Sequence, residues 1–457
     1  MKKKLLMALC ACMLLGGCTN AADLRVSNDP SVSEVTSTGD ENKGGDIKGE
    51  DNKGEDGGKT KGDEETTLEG TVSNKTLGAS GENELTPVTL IDDYEKAAYF
   101  ADQVYLANHG NTLVSPLSLE VALGLTYEGA SGQTKDELQS YLGKADYGDW
   151  VDQYMTFAEG AKVSGGQNDG YSFAYELANS IWVKKESKLK SDYQALVEKK
   201  YRATAQNVDF INEPEETADK INAWCDAKTH GMIKKMVSPD MFTESLEAIL
   251  MNSVYFESPW MEEWQLTQHE FTSLDGVKET REMMRDMLDV YFENEYATGF
   301  AKGYYNGFQF IGILPKQEGD FNLSDLDVRG LLASRTTKYF VNAIAPKLNY
   351  ETTAENIVDI LKAQGVLQAF DRFNGMFDEL VEEKELYISD ILQKCKIEMD
   401  DKGTRAAAVT AVFEAECDAC EEPVVKEQKE VFLDRPFAFL IYDSVNDKIV
   451  FAGKVVE

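Results

Sequence analysis

Apolar residues recur at helical spacing between Asp92 and Ala107, where Ala97, Phe100, Ala101 and Val104 share one face, the pattern of a helix laid on a core. Ser115 and Pro116 supply a hydroxyl cap and a first-turn proline, and the apolar run behind them carries a second helix through Tyr127. Thr134 with Glu137 has the form of a capping box, for a third helix that Gly143 closes. Then the period shortens. Tyr171 to Lys184, which carries Asn179, and Ala205 to Phe210 read as strands on either side of a capped helix from Ser191 to Tyr201. Glu216 to Trp224 is helical, closing near Gly231. Leu246 to Phe256 is apolar enough to be a buried strand, inside which Asn252 needs a hydrogen-bond partner. Phe308 to Pro315 is another strand. Thr352 with Glu355 caps a helix ending at Gly365, and Phe437–Tyr442 pairs with Lys448–Val455 around Ser444–Asp447 as a hairpin.

The stretch from Lys394 to Phe437 departs from this regularity. Cys395, Ile397 and Met399 alternate with Lys396, Glu398 and Asp400 as in a half-buried strand, and Gly403 breaks it. Ala406 to Phe413 are then small or apolar, although an acidic run with Pro423 follows them. Drawn as a strand, one face would carry Thr404, Ala406, Ala408, Thr410 and Val412, without charge or bulk, and the other Arg405, Ala407, Val409, Ala411 and Phe413. Alanine also favours helix, but a permanent surface helix would leave Ala407, Val409 and Phe413 nothing to pack on. The composition suits a loop that later becomes a strand.

Three regions follow from composition. Residues 1–17 join Lys2, Lys3 and Lys4 to an apolar run from Leu5 to Leu15, the layout of a signal peptide, too short to span a bilayer. Their ending, Leu15-Gly16-Gly17-Cys18, resembles the lipobox of bacterial lipoproteins, which implies cleavage before Cys18, lipid on that cysteine and the extracellular face of a bacterial membrane. Residues 18–86 form a tether rich in Gly, Asp, Glu and Lys, unable to bury enough apolar surface to fold and spanning roughly 45 Å as a coil. Residues 87–457 are globular in composition.

DDKGTRAAA, from Asp400 to Ala408, followed by FLDRPFAFLIYD resembles the reactive-centre loop of a serpin, the family of suicide protease inhibitors. Ser115, Pro116 and Ser118 resemble the family's SPxS at the region called the shutter, and Trp260 its tryptophan at the breach, where the loop first inserts. The resemblance covers nearly everything after residue 87 and implies an α+β fold: helices packed around a large central mixed sheet, two further sheets, and an exposed reactive-centre loop over about 402–430. It implies a hinge at Asp401, Gly403, Thr404, Arg405, Ala406, Ala407 and Ala408, with Asn179, Asn252 and Gln393 joining the shutter and breach residues. Asp401 and Arg405 stand where the family has Glu, and Gln393 where it has His. Counting from Gly403 puts the reactive bond at Cys417–Asp418, with Glu416–Cys417 as the alternative. The implied partner is a serine protease, elastase-like, chymotrypsin-like or Glu-specific, or else a papain-like cysteine protease. The alternative is a non-inhibitory serpin acting as a binding or structural lipoprotein.

The formal charge of -35 speaks against nucleic-acid partners and fits a soluble monomer. His109, His230 and His269 stand in separate elements with no nucleophile motif beside them, so no catalytic role is expected. Cys417 and Cys420 form a CxxC, but Glu416 and Glu421 beside it would raise a thiol pKa, against redox work. Neither cofactor nor metal site is expected.

Overall fold

The computed structural model describes residues 92–144, 146–164, 173–382, 386–405 and 426–457. The chain runs α1 (Asp93–Asn108), β1 (Thr112–Val114), α2 (Pro116–Gly129), α3 (Gly132–Leu142), α4 (Tyr147–Ser164), β2 (Ala174–Lys184), α5 (Ser191–Tyr201), β3 (Thr204–Val208) and α6 (Pro214–Lys228). Next come β4 (Ala248–Pro259), β5 (Gln265–Thr272), β6 (Lys278–Leu288), β7 (Tyr291–Glu293), β8 (Ala297–Gly303) and β9 (Phe308–Pro315). The last part comprises α7 (Val328–Ala333), β10 (Tyr339–Pro346), β11 (Leu348–Ala354), α8 (Ile357–Ala363), β12 (Asp390–Met399), β13 (Gly403–Thr404), β14 (Glu427–Phe432), β15 (Phe437–Asp443) and β16 (Lys448–Val455).

The strands form three sheets in the orders β11-β12-β13-β4-β2-β3, β1-β16-β15-β9-β8-β7 and β14-β10-β6-β5. The first is the central sheet. It is mixed, because β12 lies parallel to β4 and β3 parallel to β2, while β11 and β2 run antiparallel to their partners β12 and β4. Helix α2 packs on β2, β4 and β16, between this sheet and the second. It can do so because it is apolar nearly all round: Leu117, Leu119, Val121, Leu123 and Leu125 are buried. Gly124 makes the fit possible, since a side-chain carbon there would lie 2.6 Å from the Tyr147 ring and 2.8 Å from that of Tyr201. On the other face of the central sheet α6 builds a smaller core. Its Ala218, Ile221 and Cys225 join Trp182 of β2, Ile249 and Met251 of β4 and Leu392 of β12.

Two helix starts differ from the sequence expectation, and tertiary contacts are the reason. Helix α3 begins at Gly132, and the Thr134–Glu137 capping box does not form. Thr134 Oγ1 instead accepts the Met376 N–H, and Glu137 accepts the N–H groups of Leu367 and Gln368. Thr352 caps nothing: it lies in β11, its hydroxyl accepting the Leu113 N–H at 3.0 Å, and α8 starts at Ile357. Likewise Ser191 opens α5 without a side-chain cap before it. Helix α4 and the outer strands β5 and β6 lie in stretches where no element was expected. In β5 the more buried row, Thr267, His269 and Phe271, is mostly polar, while Leu266 is exposed, so the alternation of burial does not show as one of hydrophobicity.

Asp102 of α1 holds the turn before α7, accepting from Leu323 N–H at 2.6 Å, Ser324 N–H at 2.9 Å and the Ser324 hydroxyl at 2.6 Å. Burial nevertheless pushes its carboxyl up from 3.8 to about 6, against those bonds and Lys454. A raised folded-state pKa means the folded chain keeps a proton that the unfolded chain gives up. Stability from this group is therefore full below 3.8 and is lost as pH rises through about 6. Urea midpoints measured across this range should fall with rising pH in wild type, and Asp102→Asn should remove that part of the slope.

Candidate functional site at the seam of the central sheet

β12 and β4 are far apart in sequence, and their parallel ladder is short. It runs from Asp390 opposite Ile249 to Lys394 opposite Ser253 and stops there. Among the described residues no ladder joins Cys395–Glu398 to Val254–Glu257, so the seam is open above Lys394.

Where the ladder is closed, a row of amides crosses it. Gln393 lies opposite Asn252, and Asn252 opposite Asn179. Gln393 Nε2 donates to Asn252 Oδ1 at 2.7 Å, and Asn252 Nδ2 donates to Asn179 Oδ1 at 2.9 Å. Gln393 also reaches α2 below. Its Oε1 accepts the Ser115 N–H at 2.7 Å, and its Nε2 donates to the Ser115 carbonyl at 2.8 Å. Pro116 takes the first turn of α2, where the missing N–H costs nothing. The Ser115 hydroxyl accepts the Ser118 N–H at 3.3 Å and donates to the Val450 carbonyl of β16 at 2.6 Å. Ser115, Ser118, Asn179, Asn252 and Gln393 are all at most 1% exposed. Cys395 follows in the same buried row, and burial pushes its thiol well up.

The top of the open seam is already occupied. After β12 the chain turns tightly, with the Asp400 carboxylate accepting the Lys402 and Gly403 N–H groups at 2.9 and 3.3 Å. Gly403 and Thr404 then enter as β13, antiparallel to both neighbours: Thr404 pairs with Met399 of β12 and with Ser258 of β4. Thr404 is buried, and its hydroxyl shares a 2.6 Å hydrogen bond with Tyr304. Tyr304 stacks on Trp260 with ring centres 4.0 Å apart, and Trp260 Nε1 donates to the Asp400 carbonyl at 2.8 Å. Trp260 thus braces both the turn and the tyrosine that receives the threonine. Asp401 pairs with Lys347 at 3.1 Å and accepts the Trp264 N–H through its carbonyl at 2.9 Å.

Ser115, Pro116, Ser118, Asn179, Asn252 and Gln393 are therefore one cluster, and Trp260, Asp401, Gly403 and Thr404 a second one further up the same seam. Arg405 lies at the end of the described hinge. Ala406, Ala407, Ala408, Glu416, Cys417, Asp418 and Cys18 lie outside the described residues. Tyr304 was missed by sequence reasoning, since nothing local marks a residue 100 positions from the threonine it binds. His109 ends α1 in a left-handed conformation, as a cap residue. Among the described residues no group of His, Cys, Asp and Glu is arranged to hold a metal.

A mixed central sheet with an opened parallel seam and a neighbouring loop seated in its mouth defines a strand-accepting architecture. The sequence matches the family described as Serpin (serine protease inhibitor) over residues 97–457, and the chain belongs to the serpins. Members of this family generally act on proteases as inhibitors rather than as catalysts. Serpin-Z3 of Arabidopsis thaliana is 29% identical over 387 residues, covering 77% of this chain and 92% of the relative. An uncharacterized serpin-like protein of Thermococcus kodakarensis is 30% identical over 364 residues, 76% of this chain and 81% of its own. Among solved structures, the thermophilic serpin Tengpin in its native state superposes with a TM-score of 0.66 at 27% identity, covering 82% of this chain and 97% of that one.

Gln393→Ala should strip partners from the Ser115 N–H and carbonyl at once. Leaving buried polar groups unpaired costs about 1–3 kcal/mol each, so a loss of about 3 kcal/mol in urea unfolding is expected, while Tyr304→Phe, which removes a single bond, should cost about 1 kcal/mol.

Proposed function

We propose that this chain is a surface-anchored suicide-substrate inhibitor of a serine protease, with a papain-like cysteine protease as the other target class. The observation that carries this reading is the seating of Gly403 and Thr404 between β12 and β4, at the head of a seam that no other described strand fills.

The register of the hinge supports a reading of what would follow cleavage. If the register of Thr404 with Met399 and Ser258 continued, an inserted strand would place Ala406 opposite Ile397 and Phe256, Ala408 opposite Cys395 and Val254, and Thr410 opposite Gln393 and Asn252. The small residues meet the bulky core face, where larger ones would collide. Thr410 arrives at the amide row, so its hydroxyl can replace part of the Gln393–Asn252 bond that insertion breaks.

In the proposed reaction the protease nucleophile attacks the carbonyl of Cys417, or of Glu416 in the alternative, forming an acyl-enzyme and releasing the amine of the next residue. The segment from about Gly403 to Ala415 then runs into the seam and carries the acyl-enzyme with it. A strand of this length gains on the order of ten backbone hydrogen bonds at roughly 1 kcal/mol each, comparable with the whole stability of an ordinary domain, about 5–15 kcal/mol. Intact, the chain is held short of that state by the loop's covalent continuity. We further propose that lipid on Cys18 and the tether of residues 18–86 hold the inhibitor off the outer face of a bacterial membrane. A single acyl chain binds only marginally, so two or more are needed for stable anchoring.

Mixing the chain from residue 19 onward with elastase-like, chymotrypsin-like, Glu-specific and papain-like proteases should give, with one of them, a band of summed mass on denaturing gels. The mass of the released fragment should decide between cleavage after Cys417 and after Glu416. If each protease merely clips the loop and the clipped protein melts no higher than the intact one, the reading fails and a non-inhibitory serpin takes its place.

For the anchor, full-length chain expressed in a bacterium should partition into detergent, and Cys18→Ser should leave it in the aqueous phase.

A further inference from the structure

Arg405 is the residue at which the seated hinge stops. Its φ of 42° is left-handed, unlike any strand residue, although its N–H already donates to the Glu398 carbonyl at 2.5 Å. The side chain fixes this conformation. Nη2 donates to the His230 carbonyl at 2.9 Å and Nη1 to the Thr229 carbonyl at 3.3 Å, while the guanidinium lies 5.0 Å above the centre of the Tyr255 ring. Thr229 and His230 are the residues that end α6. A cation there also answers the negative end of the helix dipole.

The helix so capped is the one that covers the seam. Its Ala218, Ile221 and Cys225 pack on Met251 and Ile249 of β4 and on Leu392 of β12, so a strand entering between β4 and β12 must pass beneath it. Arg405 cannot adopt strand geometry without leaving those carbonyls, and while it stays the hinge and the helix are tied together.

Its destination is equally specific. The register that puts Thr404 opposite Met399 and Ser258 puts Arg405 opposite Glu398 on one side and Glu257 on the other. Opposite residues on neighbouring strands share a face, with Cβ atoms about 4.5–5.5 Å apart. Both carboxylates are on the face away from the buried Cys395, Ile397 and Phe256 row. Glu398 is now paired along its own strand with Lys396 at 2.5 Å, and Glu257 accepts from the Tyr255 hydroxyl. An inserting glutamate would be driven between two like charges; an arginine lands between two opposite ones.

We infer that Arg405 is a two-position switch of loop insertion: before cleavage it caps α6 and holds the hinge at Thr404, and after cleavage it pairs with Glu257 and Glu398 in the completed sheet. This rests on the inhibitor reading above, and it assigns to Arg405 a positioning role in the partition between trapping a protease and releasing it.

The test needs no knowledge of the target. Full-length wild type, Arg405→Glu, Arg405→Lys and the swap Arg405→Glu with Glu398→Arg are clipped in the loop by a chymotrypsin-like protease, for which Phe413 offers a site that none of the substitutions alters. Fragment masses identify the cut, and uncomplexed clipped protein is melted beside the intact form. Wild type should gain about 20 °C or more on clipping. Arg405→Glu should lose several degrees of that gain, the swap should recover most of the loss, and Arg405→Lys should keep the gain because the charge remains. Before clipping, amide exchange at Thr404 and residue 405 should quicken about tenfold in all three variants, including Arg405→Lys, whose ammonium lacks the fork that bonds two carbonyls. Equal gains in all four chains, or hinge exchange unchanged in the variants, would overturn the switch and leave the inhibitor reading standing. No gain in wild type would overturn both.

Discussion

The structure depends on one joint between strands, the parallel pairing of β12 with β4, which holds only from Asp390 to Lys394. Everything else in the central sheet is paired along its length: β2 follows β4 from Ala174 to Val183, and β11 follows β12 from Leu348 to Ala354. A seam held at one end and open at the other is a poor way to close a sheet, because the open part leaves backbone groups without ladder partners. Its use lies in what it accepts. The hinge turn at Asp400 to Gly403 delivers Thr404 into the mouth of the seam in the antiparallel sense that a returning strand must have.

Gln393 ties this joint to the rest of the molecule. Through Ser115 it is bonded to the start of α2, and the Ser115 hydroxyl is bonded in turn to Val450 of the second sheet. Opening the seam therefore disturbs not only two strands but the layer contact between two sheets, which is why the joint resists opening although its ladder is short. The fixed rotamer of Gln393 is set from both ends, by Ser115 and by Asn252. An imidazole offers one donor and one acceptor in a neutral ring, whereas the amide of Gln393 donates twice, to Ser115 and Asn252, and accepts twice, from the Ser115 N–H and the Cys395 thiol. The amide thus does the bridging without introducing a group that titrates near neutrality.

How much of this could be read from the chain varies with the range of the interaction. The start of α2 was legible, because Ser115 and Pro116 act within one helical turn. The apolar run that became β4 was equally plain, and a buried Asn252 inside it demanded a partner. What the chain could not disclose was which partner, since Asn179 and Gln393 are 73 and 141 residues away. The same limit explains the helix starts that failed. Thr134 and Thr352 carry the right hydroxyl at the right spacing, but a distant N–H, of Met376 in one case and Leu113 in the other, takes the bond that a local cap would have used. The start of the hinge was legible at Gly403 and Thr404, which lack bulk and are the residues seated as β13. The contact of Arg405 with α6 was not, because an arginine's fork shows no preference in sequence for the carbonyls it will meet.

The polar character of the seam also has a thermodynamic reason. Two buried atoms around it, Ser118 Oγ and Asn179 Nδ2, have no hydrogen-bond partner among the described residues. Each such atom is unfavourable by roughly 1–3 kcal/mol relative to a satisfied one. Apolar residues of the same size at Gln393, Asn252 and Asn179 would remove the Asn179 share of that cost and close the seam more firmly. They would also leave an arriving strand nothing to exchange bonds with, and the sheet would have to break hydrophobic packing before any new contact formed. A row of amides can be traded bond for bond, so the barrier to opening is lowered by each bond the incoming strand restores. On the proposed insertion, an entering strand would gain the ladder partners that Cys395–Glu398 and Val254–Glu257 lack across the open part of the seam. Under the inhibitor proposal, pairing withheld from the intact seam is the driving force for the strand that would fill it.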